Sequence, residues 1–167
     1  MKNYTHIIVW AGIIIVVIAG LSFASKRSEP ANISDSFGSV SSSLSAPETV
    51  FDFGTISMAR GVVSHAYSIK NNGTELVALS KLYTSCMCTK ASLSFGGKKI
   101  GPFGMPGHGF VPGFSEVLNP GEEAVIDVAF DPAAHGPAGI GKIERSVILE
   151  NNGATPLEVK FTATVTP

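Results

Sequence analysis

From Glu48 onward the chain is patterned in short segments of period two. Val63, His65, Tyr67 and Ile69 share one face while Val62, Ser64, Ala66 and Ser68 share the other. Ala124, Ile126, Val128 and Phe130 alternate with Val125, Asp127 and Ala129, and Ile143, Arg145, Val147 and Leu149 form a similar row. Leu157, Val159, Phe161, Ala163 and Val165 alternate with Glu158, Lys160, Thr162 and Thr164, the pattern of a half-buried antiparallel strand. Residues 49–56, with a break at Gly54, and residues 76–83 add two further strands. About seven short strands in roughly 115 residues predict an all-β, antiparallel β-sandwich. No amphipathic helix is legible after residue 25.

Punctuation supports the same division. Asn71-Asn72-Gly73, Asn119-Pro120-Gly121-Glu122 and Asn151-Asn152-Gly153 read as turns, the first and last through residues that tolerate positive φ. Residues 94–116 break the pattern. Seven glycines and three prolines predict a long irregular loop, and Phe95, Ile100, Phe103, Met105, Phe110, Val111 and Phe114 predict that it packs against one end of the sandwich.

The N-terminal part follows different rules. Residues 6–25 contain no Asp, Glu, Lys or Arg, and a bilayer span takes roughly 20 apolar residues. The segment reads as a single-pass transmembrane helix left uncleaved, because Lys26 and Arg27 follow it at once. A signal cut after Ser22-Phe23-Ala24 and a secreted product is the alternative. Residues 26–47 are Ser-rich and without period, a flexible stalk. Residues 1–25, 26–47 and 48–167 are thus anchor, stalk and sandwich, with the sandwich outside the cytoplasm.

Composition narrows the function. A net charge of -1 removes the electrostatic case for nucleic acid. No nucleophile elbow, phosphate loop or pair of catalytic carboxylates is present, so the chain is not expected to be an enzyme. The chemistry that remains lies in Cys86-Met87-Cys88, which contains both cysteines of the protein. On a regular strand the two would share one face. Three readings stand side by side. The cysteines are small buried hydrophobes; or they bind copper or zinc together with Met105 and His108 of the loop; or they form a redox pair. A disulfide across so small a ring is an easily reduced bond, a poor structural staple. His65 is expected at the core edge with a hydrogen-bond partner, and His135, in Asp131-Pro132-Ala133-Ala134-His135-Gly136, reads as a turn residue.

Phe51-Asp52-Phe53-Gly54-Thr55-Ile56, Gly61, His65, Ile69-Lys70-Asn71-Asn72-Gly73, Ser85-Cys86-Met87-Cys88-Thr89, Asn119-Pro120-Gly121-Glu122 and Phe130-Asp131-Pro132 occur in that order. This series resembles the bacterial domain-of-unknown-function family 1573. The resemblance implies an immunoglobulin-like sandwich over residues 48–165, similar to HYDIN, ASH and major-sperm-protein domains, exported or membrane-anchored, and it assigns no activity. Two departures stand out: Met87 sits where the family commonly has glycine, and the 94–116 loop is longer. The expectation is therefore a membrane-tethered, non-enzymatic interaction module with a protein partner, or alternatively a soft-metal or thiol-redox module.

Overall fold

The computed structural model describes residues 43–153 and 155–167. The expected anchor (1–25) and most of the expected stalk lie outside the described residues. No helix among the described residues is long and apolar enough to cross a membrane.

Among the described residues, ten strands form two five-stranded sheets. They are β1 (Leu44–Ser45), β2 (Val50–Ser57), β3 (Val63–Asn71), β4 (Val77–Thr84), β5 (Thr89–Phe95), β6 (Lys98–Phe103), β7 (Glu116–Leu118), β8 (Glu123–Phe130), β9 (Gly141–Asn151) and β10 (Leu157–Thr166). One sheet runs β1-β3-β8-β5-β6 and the other β2-β10-β9-β4-β7. The only helical pieces among the described residues are two 3-10 turns, Met58–Arg60 and Gly136–Gly139.

The period-two rows become the facing layers of the sandwich. Tyr67 and Ile69 of β3, Ala124, Ile126, Val128 and Phe130 of β8, and Val159, Phe161, Ala163 and Val165 of β10 are all buried. The Tyr67 hydroxyl crosses between the sheets and donates to the Lys160 carbonyl at 2.6 Å. Burial, with the Glu48 carboxylate adding to it, pushes the Tyr67 pKa up to about 12, so the phenol stays a neutral donor. His65 stacks on Phe51 with ring centroids 3.6 Å apart and meets Glu48 at 2.8 Å, a core-edge histidine with a partner.

Gly54 explains a phase change in β2. Phe51 and Phe53 lean inward at odd positions, but Ile56, an even position, is the one that is buried. The β2–β10 register shifts between Thr162 and Thr164, opposite a glycine at φ 69°, so a bulge turns Ile56 into the core.

Four expectations are corrected. There are ten strands instead of about seven, because β1, β5, β6 and β7 carry little alternation of their own and are held by their neighbours. The sandwich is not wholly antiparallel, since β2 pairs with β10 in parallel. Residues 94–116 are not one irregular loop: β6 folds back on β5 through Gly96-Gly97, both at positive φ, and β7 pairs with β4. What remains is a 104–115 loop whose ends close on β4, through Thr84 N to Gly104 O at 3.1 Å and Phe114 N to Ser80 O at 2.8 Å, with Phe103 stacked on Phe114. Finally, the Asn71-Asn72-Gly73 turn does not use positive φ. In both Asn-Asn-Gly turns, the asparagine side chain accepts from the glycine amide (Asn71 with Gly73 at 3.0 Å, Asn151 with Gly153 at 2.7 Å), an Asx turn. Leu44, ahead of Glu48, is buried and pairs with Asn71.

Candidate metal centre

Cys86 and Cys88 lie on the connection that carries the chain from β4 in one sheet to β5 in the other. They are on a turn, so the shared face of a regular strand does not apply to them. Thr84, fully buried, shapes that turn: its hydroxyl bridges the carbonyls of Cys86 (2.9 Å) and Thr89 (3.2 Å), and Thr89 N donates to Cys86 O at 3.2 Å. The Cys88 amide donates to Cys86 Sγ at 3.4 Å, which fixes one sulfur over the turn.

Both ends of this connection are stitched to the β8–β9 side of the molecule. Ser85 N donates to Ser146 O and Ser146 N to Ser85 Oγ, each at 2.9 Å. Asp131 N donates to Cys88 O at 2.9 Å, just beyond the β5–β8 pair Thr89 and Phe130. The β8–β9 connection is thereby laid against the cysteines. Asp131 winds it, its carboxylate accepting from Ala133 N at 2.9 Å, and Gly136 turns it at φ 54°. His135 emerges between them with Nε2 at 3.1 Å from Cys86 Sγ. Gly139 packs close by: an added Cβ would stand 3.1 Å from the His135 Cβ, a contact that only a shift of a few tenths of an ångström would relieve.

One ligand atom from each of Cys86, Cys88 and His135 lies within 4.8 Å of the others. Metal–sulfur and metal–nitrogen bonds of about 2.3 and 2.0 Å place such donors roughly 3.5–4 Å apart, so a small shift at His135 admits an ion. Both cysteines are buried, and His135 is exposed. The imidazole is the solvent-facing side of the group and an entry path for a ligand.

Arg145 completes the centre from β9. It lies in the inward row with Ile143, Val147 and Leu149, and the register that pairs Thr84 with Val147 and bonds Ser85 to Ser146 sets it next to Cys86. Burial works against its charge, but the neighbouring Cys88 and Cys86 outweigh that and raise its pKa. Nη1 donates to Glu144 O at 2.8 Å, while Nε is buried without a hydrogen-bond partner.

The two thiols are driven apart. Burial raises Cys86, but hydrogen bonds from Cys88, from His135 and from the Cys88 amide, together with the Arg145 charge, bring it down to about 7. Burial pushes the Cys88 thiol up, and Cys86 beside it adds to that against Thr89 and Arg145. Cys86 therefore loses its proton first. The thiolate is the nucleophile, so the alkylation rate of Cys86 by iodoacetamide should rise through a midpoint near pH 7 and level off above it. Rates followed from pH 5.5 to 9.5 by mass spectrometry check this; a midpoint at about 8.5, that of an ordinary thiol, contradicts it.

Of the four residues expected from sequence, Cys86 and Cys88 are brought together. His108 is exposed on the 104–115 loop, its amide donating to Met105 O at 3.2 Å, and it is not among the converging donors. Met105 is half-buried beside Gly104, where the loop meets β4. His135 and Arg145 were not anticipated. Arg145 did leave a signal, a lone charge in an apolar period-two row.

Residues 44–101 match the family described as Protein of unknown function (DUF1573). The match contains the Cys-x-Cys pair and ends before His135 and Arg145. No curated protein is similar to the chain by sequence. Among solved structures, a protein of unknown function from Porphyromonas gingivalis W83 is similar at 17% identity and a TM-score of 0.53, over 72% of this chain and 46% of that one. The chain thus spans less than half the length of that structure. The ASH/PapD-like domain 7 of human CEP192 is similar at 13% identity and a TM-score of 0.46, over 76% of this chain and 87% of that one. The periplasmic chaperone SfaE is similar at 10% identity and a TM-score of 0.40, over 74% and 58%. At such identities the likeness concerns fold alone, and the Porphyromonas structure carries it.

Proposed function

We propose that this chain is a membrane-tethered, extracytoplasmic, non-enzymatic sandwich domain that holds a soft metal ion on Cys86, Cys88 and His135. The observation that carries the reading is the convergence of two sulfurs and an imidazole within 4.8 Å at one end of the sandwich. Thiolate donors favour soft ions and imidazole suits both copper and zinc. The uncharged run at residues 6–25 supports the tether and the export.

The full chain, purified with its cysteines reduced, should take up one Cu(I) against a chromophoric competitor. His135→Ala should weaken that uptake by at least about tenfold, the scale on which even outer partners of a metal matter. His108→Ala should leave it unchanged. Equal losses in the two variants, or none in either, would remove His135 from the centre.

A second reading, an interaction module with an envelope protein as partner, is favoured by exposed apolar side chains. Phe110 is 90% exposed on the 104–115 loop, and Met87 (45%) and Ile140 (47%) lie on the same two connections as the centre. Photo-crosslinking from position 87 in intact cells tests it: a specific adduct supports docking over the centre, and no adduct there counts against it.

A further inference from the structure

We propose that Arg145 makes this centre selective for a monovalent soft ion, Cu(I), over a divalent one such as Zn²⁺. The inference rests on the soft-metal reading above and adds a specificity-determining residue to it.

The first argument is charge. Cysteine binds metal as thiolate, so an occupied centre carries two negative charges from Cys86 and Cys88. Thr84 pairs with Val147 and Ser85 bonds Ser146, so the register sets Arg145 next to Cys86; its guanidinium carries one positive charge, and its Nε is buried with no hydrogen-bond partner. A monovalent ion brings the group to neutrality, whereas a divalent ion leaves a net positive charge against two buried cysteines. A charge difference of this kind a few Å from a cation, at the effective dielectric of a protein, is worth on the order of a hundredfold in affinity.

The second argument is coordination number. Three donors converge among the described residues when His, Cys, Asp and Glu are considered. Structural zinc sites are almost always four-coordinate, while a pair of thiolates suits Cu(I). Arg145, the residue that the register sets next to Cys86, is never a ligand in its charged form and adds no fourth donor.

Arg145 cannot readily leave. It belongs to the inward row of β9, between the β10 partner Phe161 on one side and the Ser85–Ser146 stitch on the other. The pairing of Phe161 with Arg145 places the charge at the boundary between the apolar core and the centre.

The test uses the full chain and four probes: Cu(I), Ag(I) as its redox-inert surrogate, Zn²⁺, and Co²⁺ as the spectroscopic surrogate of Zn²⁺. The variants are Arg145→Gln, which removes the charge, and Arg145→Lys, which keeps it; far-UV circular dichroism establishes that each retains the sandwich. The wild type should bind one Cu(I) or Ag(I) per chain. Arg145→Gln should narrow the Cu(I)-over-Zn²⁺ ratio by on the order of a hundredfold and develop sulfur-to-cobalt charge-transfer bands. Arg145→Lys should keep the wild-type preference. If Arg145→Gln binds Cu(I) with an unchanged ratio, the selectivity inference is overturned while the centre survives. If no chain binds any of the four ions, the soft-metal reading itself falls.

Discussion

Replacing both Cys86 and Cys88 with serine should abolish Cu(I) uptake by the full chain while the sandwich remains folded. The loss should exceed about a hundredfold, because outer-shell partners alone are worth roughly 10–100-fold and this change removes two of three direct donors. A serine hydroxyl is a hard, protonated donor and does not replace a soft thiolate at neutral pH. The fold should tolerate the change for a geometric reason. The turn is shaped by the Thr84 hydroxyl and by backbone bonds to Ser146 and Asp131, and apart from the Cys88 amide on Cys86 Sγ these do not involve the sulfurs. Burying two hydroxyls in place of two thiols costs about 1–3 kcal/mol each if they go unpaired. Equilibrium competition for Cu(I) and a denaturation curve on the same sample separate the two effects. Undiminished uptake by the double variant would place the metal elsewhere.

Phe161→Ala should be the most damaging single truncation. Phe161 is fully buried in β10, between β2 and β9, and its ring meets Phe53 at 5.4 Å and Phe130 at 5.2 Å between centroids. Truncation removes an aromatic pair from each side and leaves a cavity between the sheets, a cost of about 3–5 kcal/mol. Against a total stability of about 5–15 kcal/mol, that is a large share. Thermal unfolding should show a midpoint lowered by roughly 10 °C or more. A change of less than a few degrees would mean that the aromatic cluster does not hold the sheets together.

The strands that were legible in the sequence are those with a solvent face and a core face. β8 and β10 alternate because one side of each meets water, and the structure buries the residues that the period selects. β5 escaped because Ala91, Ser92 and Leu93 are buried in succession, which erases the alternation. β6 escaped because Gly101 and Pro102 resemble a loop; only its pairing with β5 makes it a strand. The phase of β2 was obscured at Gly54, where the bulge inserts a residue.

The centre was legible by half. Two cysteines two residues apart are visible in any reading, but their co-ligand was sought close by, on the glycine-rich loop. His135 lies 49 residues from Cys86 and arrives through the folding of the β8–β9 connection, which no local pattern records. Arg145 is different. A charge in register with Ile143, Val147 and Leu149 is costly unless something offsets it, and that mismatch was the signal left unread. The register sets Cys86 next to it.

The most direct measurement is copper K-edge X-ray absorption on the full chain loaded with one equivalent of Cu(I). The account predicts a three-coordinate Cu(I) with two sulfurs and one nitrogen, the nitrogen shell disappearing in His135→Ala. A first shell without sulfur, or a nitrogen shell that persists in His135→Ala, would contradict it.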